Sequence, residues 1–110
     1  MHSSRRGDIS ELKAIAWLLE QGYEVFWNAC CTGDTDMVAW KDHEGPPIKI
    51  NVKTLTPKIQ GDSRRDVFAF RTEHSDYYRE NGIKELWVYE DQVGWNRDYF
   101  ALPTREELLA

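Results

Sequence analysis

Asp36, Asn51 and Lys53 are the residues whose types and spacing suit chemistry on a charged substrate. They lie in two short apolar runs, Asp36-Met37-Val38-Ala39-Trp40 and Ile48-Lys49-Ile50-Asn51-Val52-Lys53, joined through a turn at Gly45-Pro46-Pro47. If both runs are strands, side chains two apart share a face, so Asn51 and Lys53 point one way and Val52 points into the core. The hairpin then gathers an acid, an amide and a lysine at one end. That set suits phosphodiester hydrolysis, which needs a divalent cation to offset developing charge and activate water, with a cation or base beside the attacking oxygen. Magnesium, or manganese in its place, takes oxygen ligands and keeps several waters, so one or two carboxylates and a backbone carbonyl suffice. Asp36 is the expected main ligand and the Val52 carbonyl a further one. Asn51 offers an amide oxygen or positions a water, and Lys53 orients or deprotonates the nucleophile.

Glu11 is a fourth candidate, placed by its sequence neighbours Leu12 and Ile15 on a helix that can approach the sheet. Its alternative role is to support the helix N-terminus. Asp34 shares strand parity with Asp36 and is either an auxiliary acid or a solvated loop residue. His2, His43 and His74 are far apart and form no ligand motif. Thr54 either touches phosphate or continues its strand. Trp27, Trp40, Trp87 and Trp95 either stack on exposed bases or fill the core and its interfaces.

The elements that must position these residues follow from periodicity and punctuation. Ile9, Leu12, Ile15, Ala16 and Leu19 recur at helical spacing, predicting a helix over residues 8 to 21 that Gly22 ends; Asp8 and Glu11 have the spacing of a capping box. Residues 23 to 29 are a first strand, and the Cys-Cys-Thr-Gly-Asp segment is a loop. The two runs around Gly45-Pro46-Pro47 must be antiparallel, because their connection is too short for a crossover. Residues 54 to 62, with Pro57 and Gly61, read as a loop; residues 67 to 70 as a strand; 75 to 81 as a short helix closed by Gly82; and 85 to 89 as a strand. A last strand over 98 to 102 ends at Pro103, with Thr104 capping a final helical turn through Leu109. The expected architecture is a single domain over residues 1–110, α/β (α+β), with a mixed β-sheet flanked by helices.

Composition bounds the function. The 110 residues are 13% aromatic and 30% charged, with a net charge of -5. Their pI near 5.1 argues against broad electrostatic adhesion to nucleic acid. Residues 49 to 71 depart from that balance, with six basic against two acidic residues, and this basic segment begins in the suspected active strand. Within it Lys58, Arg64 and Arg65 are spaced to grip a phosphate backbone, or else form an exposed loop face. No apolar stretch approaches the ~18 residues that span a bilayer, and the N-terminus lacks an apolar signal core, so the chain reads as cytoplasmic. The adjacent Cys30 and Cys31 suit reduced thiols better than a disulfide or a zinc site.

Four segments together resemble the PD-(D/E)XK nuclease superfamily: Arg6-Gly7-Asp8-Ile9-Ser10-Glu11, Leu18-Leu19-Glu20-Gln21-Gly22-Tyr23-Glu24-Val25, Thr35-Asp36-Met37-Val38 and Ile50-Asn51-Val52-Lys53-Thr54. They occur in the family's order over residues 6 to 54. They are most similar to its small endonuclease-like and Holliday-junction-resolvase-like branch. The resemblance implies a restriction-endonuclease-like core in which Glu11 is the helix acid, Asp36 the metal-binding aspartate and Lys53 the signature lysine. It further implies Mg2+- or Mn2+-dependent hydrolysis of DNA by a homodimer or higher homo-oligomer. Asn51 departs from the pattern, standing where the family has Glu, Asp or, in some branches, Gln. Loss of that charge favours a one-metal mechanism or weak activity. The alternative is therefore a weak or inactive nuclease-fold protein that binds nucleic acid or a protein partner. A purely structural subunit with an acidic C-terminal interface is a third possibility.

Overall fold

A computed structural model describes residues 3–29, 33–41, 45–59, 66–69, 75–95 and Glu107. Its elements in chain order are α1 (Ser3–Glu20), β1 (Tyr23–Trp27), β2 (Met37–Lys41), β3 (Ile48–Thr54), β4 (Thr56–Ile59), β5 (Asp66–Ala69), α2 (Ser75–Glu80), β6 (Ile83–Tyr89) and β7 (Gln92–Gly94). The main sheet has the order β1-β2-β3-β6-β7, and β4 and β5 form a separate two-stranded ribbon. β1, β2 and β3 are joined antiparallel, as the short connections require. β6 lies parallel to β3 with Asn51 opposite Glu85 and Lys53 opposite Trp87, and β7 returns antiparallel.

One stripe of α1 packs on the sheet. Ala14 and Leu18 are buried against Met37, Ala39, Ile50, Leu86 and Val88, with Ile15, Trp17, Val25 and Val52 packed around them. Met37 and Ile50 are cross-strand partners, so the core sits just inside the end of the β2-β3 pair. Leu55 and Tyr89 form a smaller cluster with Trp87. On α2, Tyr78 is buried and Tyr77 exposed.

Three expectations are corrected. The helix begins at Ser3, so Asp8 lies inside it and the box with Glu11 does not form. Gly7 weakens a helix interior by roughly 1 kcal/mol, too little to start or stop one whose later turns are anchored by packing. Second, the expected loop over 54 to 62 contains β4, in which Pro57 pairs opposite Phe68 of β5. A two-stranded ribbon gives each strand a free edge, where a residue without an N–H is tolerated. Third, β7 adds three residues that carry too little pattern to announce a strand. Gly22 (φ 92°) and Gly82 (φ 70°) do end the two helices, in the left-handed region open to glycine. The expected strand over 98 to 102 and the turn after Thr104 lie outside the described residues, except that Glu107 is helical. Cys30, Cys31 and the three histidines also lie outside them.

Candidate active site

The site forms where β2 and β3 part. The Asp36 N–H still donates to the Ile50 carbonyl at 2.8 Å, but the next ladder position is taken by a side chain. The Val52 N–H donates to Asp36 Oδ2 at 2.6 Å. The N–H and C=O of one strand residue face the same neighbour, so the Val52 carbonyl also opens toward this gap. Asn28 closes the other side, its N–H donating to the Asp36 carbonyl at 3.0 Å and its Nδ2 to the Thr35 carbonyl at 2.9 Å.

Asn51 is buried. Its Nδ2 donates to the Asp34 carbonyl at 2.6 Å, which fixes the orientation of the amide. Its Oδ1, also buried, has no hydrogen-bond partner among the described residues. A buried acceptor left unmatched costs about 1–3 kcal/mol, so this oxygen calls for a donor or a cation. Lys53, on the same face of β3, places Nζ 3.3 Å from the Tyr78 hydroxyl and 4.8 Å from the centre of its ring. Tyr78 thus holds the ammonium by both its edge and its face.

Electrostatics link Asp36 with Lys53 and Glu11. Burial pushes the Asp36 carboxyl above the usual carboxylate range; the Val52 N–H and the Lys53 ammonium pull it back, and Asp34 pushes it up. Glu11 is shifted upward as well, first by burial and then by the charge of Asp36; the Trp27 N–H opposes this and Asp8 adds to it. Glu11 therefore lies within electrostatic reach of Asp36. The indole of Trp27, half exposed, puts Nε1 3.5 Å from Glu11 Oε1. Behind it, Ser10 and Thr54 pair their hydroxyls at 2.6 Å and tie α1 to β3. That bond gives Thr54 a structural role in the strand.

Among the described residues no three His, Cys, Asp or Glu side chains converge on one cation position. The oxygens of this region that could hold a cation are those of the Asp36 carboxylate, Asn51 Oδ1, the Val52 carbonyl and Glu11. Hard oxygens of this sort fit magnesium or manganese and do not fit a soft metal. A depression of about 850 Å³ beside α2 and β6 shares Tyr78 with the site but none of Glu11, Asp36, Asn51 and Lys53. Lys58 lies on β4, while Arg64 and Arg65 fall outside the described residues.

Tyr78 carries no signal in the sequence. It sits 25 residues from Lys53 in a helix whose side-chain directions become meaningful only once α2 is docked on β6. The Trp27 contact with Glu11 was equally hidden, since strand tryptophans are common core residues.

No protein-family model matches the chain, and no curated protein matches it. Three chains of solved structures match, among them a bacterial homing endonuclease, I-Ssp6803I, with a TM-score of 0.60 and 20% sequence identity. The alignment covers 84% of this chain and 65% of that neighbour, so the chain spans less than two thirds of the neighbour's length. The fold is thus a mixed α/β one, a five-stranded sheet flanked by helices, similar to that of a nuclease.

Proposed function

We propose that this chain is a metal-dependent endonuclease that hydrolyses DNA phosphodiester bonds, with Glu11, Asp36, Asn51 and Lys53 as its centre. The observation that carries this reading is the presence, where two strands part, of Asp36, whose Oδ2 accepts the Val52 N–H, and of a buried Asn51 oxygen that has no hydrogen-bond partner among the described residues. The likeness to an endonuclease structure supports it at the level of fold.

A divalent cation held by Asp36, Asn51 Oδ1 and the Val52 carbonyl, with Glu11 nearby, would supply charge neutralisation and water activation. The remaining work falls to the chain. Tyr78 restrains Lys53, so the ammonium is positioned beforehand to orient the attacking water and balance charge on phosphate. The Val52 N–H fixes one oxygen of Asp36, leaving Oδ1 for a ligand. Trp27 stands exposed beside Glu11, where an unstacked base can rest on its ring. Lys58, Arg64 and Arg65 belong to the basic segment that would track the phosphate backbone.

The test is cleavage of plasmid and branched DNA in magnesium or manganese by the wild type, Asp36→Ala and Lys53→Ala. Each substitution is expected to lower the rate by about 10²–10³, in line with removal of one charge-stabilising group. Absence of cleavage by the wild type, or unchanged cleavage in both variants, would overturn the proposal.

A second reading is favoured by the neutrality of Asn51, a nuclease fold that binds nucleic acid or a partner with little or no catalysis. Asn51→Glu discriminates between the two. Gain of cleavage marks a degenerate site, whereas loss marks a working amide.

A further inference from the structure

Helix α1 has two apolar faces. Ser10, Ala14 and Leu18 are buried against the sheet. At about 100° per residue, Ile9, Leu12, Ala16 and Leu19 fall in a stripe about 80° wide centred on the opposite side. All four are exposed, Leu12 at 55% and Leu19 at 57%. Their spacing of three, four and three residues is that of alternating a and d positions in a coiled-coil seam. A surface helix ordinarily turns polar residues outward, so this stripe is built to be covered.

We propose that α1 pairs antiparallel with α1 of a second copy of this chain, about a two-fold axis crossing the middle of the helix. Three observations select that occupant. The stripe is self-complementary when reversed: Ile9 meets Leu19 of the other copy and Leu12 meets its Ala16, giving four layers that each set a larger residue against a partner, with small Ala16 allowing close approach in the middle. The ends are charged the wrong way for an isolated helix, with Arg5 and Arg6 in the first turn, no acid there, and Glu20 in the last turn, which has no base. In this register Glu20 of one copy comes level with Asp8 and within one turn of Arg5 and Arg6 of the other, and the two helix dipoles are opposed. Finally, Asp8 and Glu20 flank the stripe, a poor border for an anionic membrane surface.

The seam lies on the side of α1 opposite the residues packed on the sheet, so pairing leaves Glu11 and the β2-β3 gap open. The proposal is independent of the catalytic reading, and either can fail without the other.

Sedimentation velocity over a concentration series tests it, using the wild type and Leu12→Gln/Leu19→Gln, with near-ultraviolet circular dichroism of the tryptophans as the check on folding. The wild type is expected to sediment as a dimer. The double variant is expected to weaken self-association by at least about a hundredfold, because four buried leucines are lost per dimer, with an unchanged spectrum. A monomeric wild type, or a variant that self-associates as the wild type does, would overturn the proposal. If the double variant loses its tryptophan spectrum, charge reversal decides. Glu20→Arg and Arg5→Glu should each weaken the homodimer, and an equimolar mixture of the two should restore association; a mixture no stronger than either alone would overturn the antiparallel pair.

Discussion

Burial where β2 and β3 part raises the pKa of both Asp36 and Glu11, and the charge of Asp36 adds to the rise at Glu11. The consequence for stability has a definite sign. A carboxyl whose folded pKa exceeds its unfolded value holds more protons in the native state, so stability falls as pH rises from the unfolded value to the raised one, and the cost persists above it. For these groups the fall begins near the ordinary values of 3.8 for Asp36 and 4.5 for Glu11. Asp36→Asn keeps an oxygen to accept the Val52 N–H and removes the charge. It should raise the melting temperature at pH 7 and flatten its decline between pH 4 and 7, measured by thermal denaturation. A lower melting temperature at pH 7 would mean that the Val52 N–H and the attraction of Lys53 outweigh burial. The residue scale also shows what the sequence could reveal about the site. Asp36, Asn51 and Lys53 were legible because a strand's period of two fixes which side chains share a face. Glu11 stayed ambiguous because a helix residue's role depends on which way the helix docks. Tyr78 had no local signal, since it meets Lys53 through a tertiary contact alone, and the sequence named Trp27 for stacking without placing it beside Glu11.

At the scale of elements, α1 is tied to the far edge of the sheet as well as to the site. Lys13 Nζ donates to the Glu90 carbonyl at 2.6 Å and lies 3.1 Å from Asp91 Oδ1, gripping the turn between β6 and β7. Asp91 is nearly fully exposed, so the ion pair contributes little, and the bond to the carbonyl matters more. Glu90 has φ 52°, the left-handed region that disfavours a side chain. Glu90→Gly keeps the carbonyl and removes that strain, so urea denaturation should show a gain of roughly 1 kcal/mol. A loss would mean that the Glu90 side chain holds the turn. The elements that the sequence announced were those with a strong period, a glycine stop or a run of branched and aromatic residues, namely α1, β1, the β2-β3 hairpin, β5, α2 and β6. β4 was masked by Pro57, whose missing N–H argues against a strand unless an edge is free, and β7 by its length. The start of α1 misled because Asp8 and Glu11 have capping-box spacing while the helix runs on through Gly7.

For the whole molecule, the distribution of charge and apolar surface divides the work. The net charge is -5, and the segment from Lys49 to Arg71 runs against it with six basic and two acidic residues, starting in β3 and spanning the β4-β5 ribbon. The outer stripe of α1, with Ile9, Leu12 and Leu19 exposed, is a separate feature of the surface. In the proposed site an acid, an amide and a backbone carbonyl hold one divalent cation beside Lys53. Anomalous diffraction from crystals soaked in manganese tests this. One peak is expected within about 2.0–2.3 Å of an Asp36 carboxylate oxygen and the Val52 carbonyl oxygen, with Asn51 Oδ1 as a direct or water-bridged neighbour. No peak in this gap at millimolar manganese, or a peak that persists unchanged in Asp36→Ala, would contradict it.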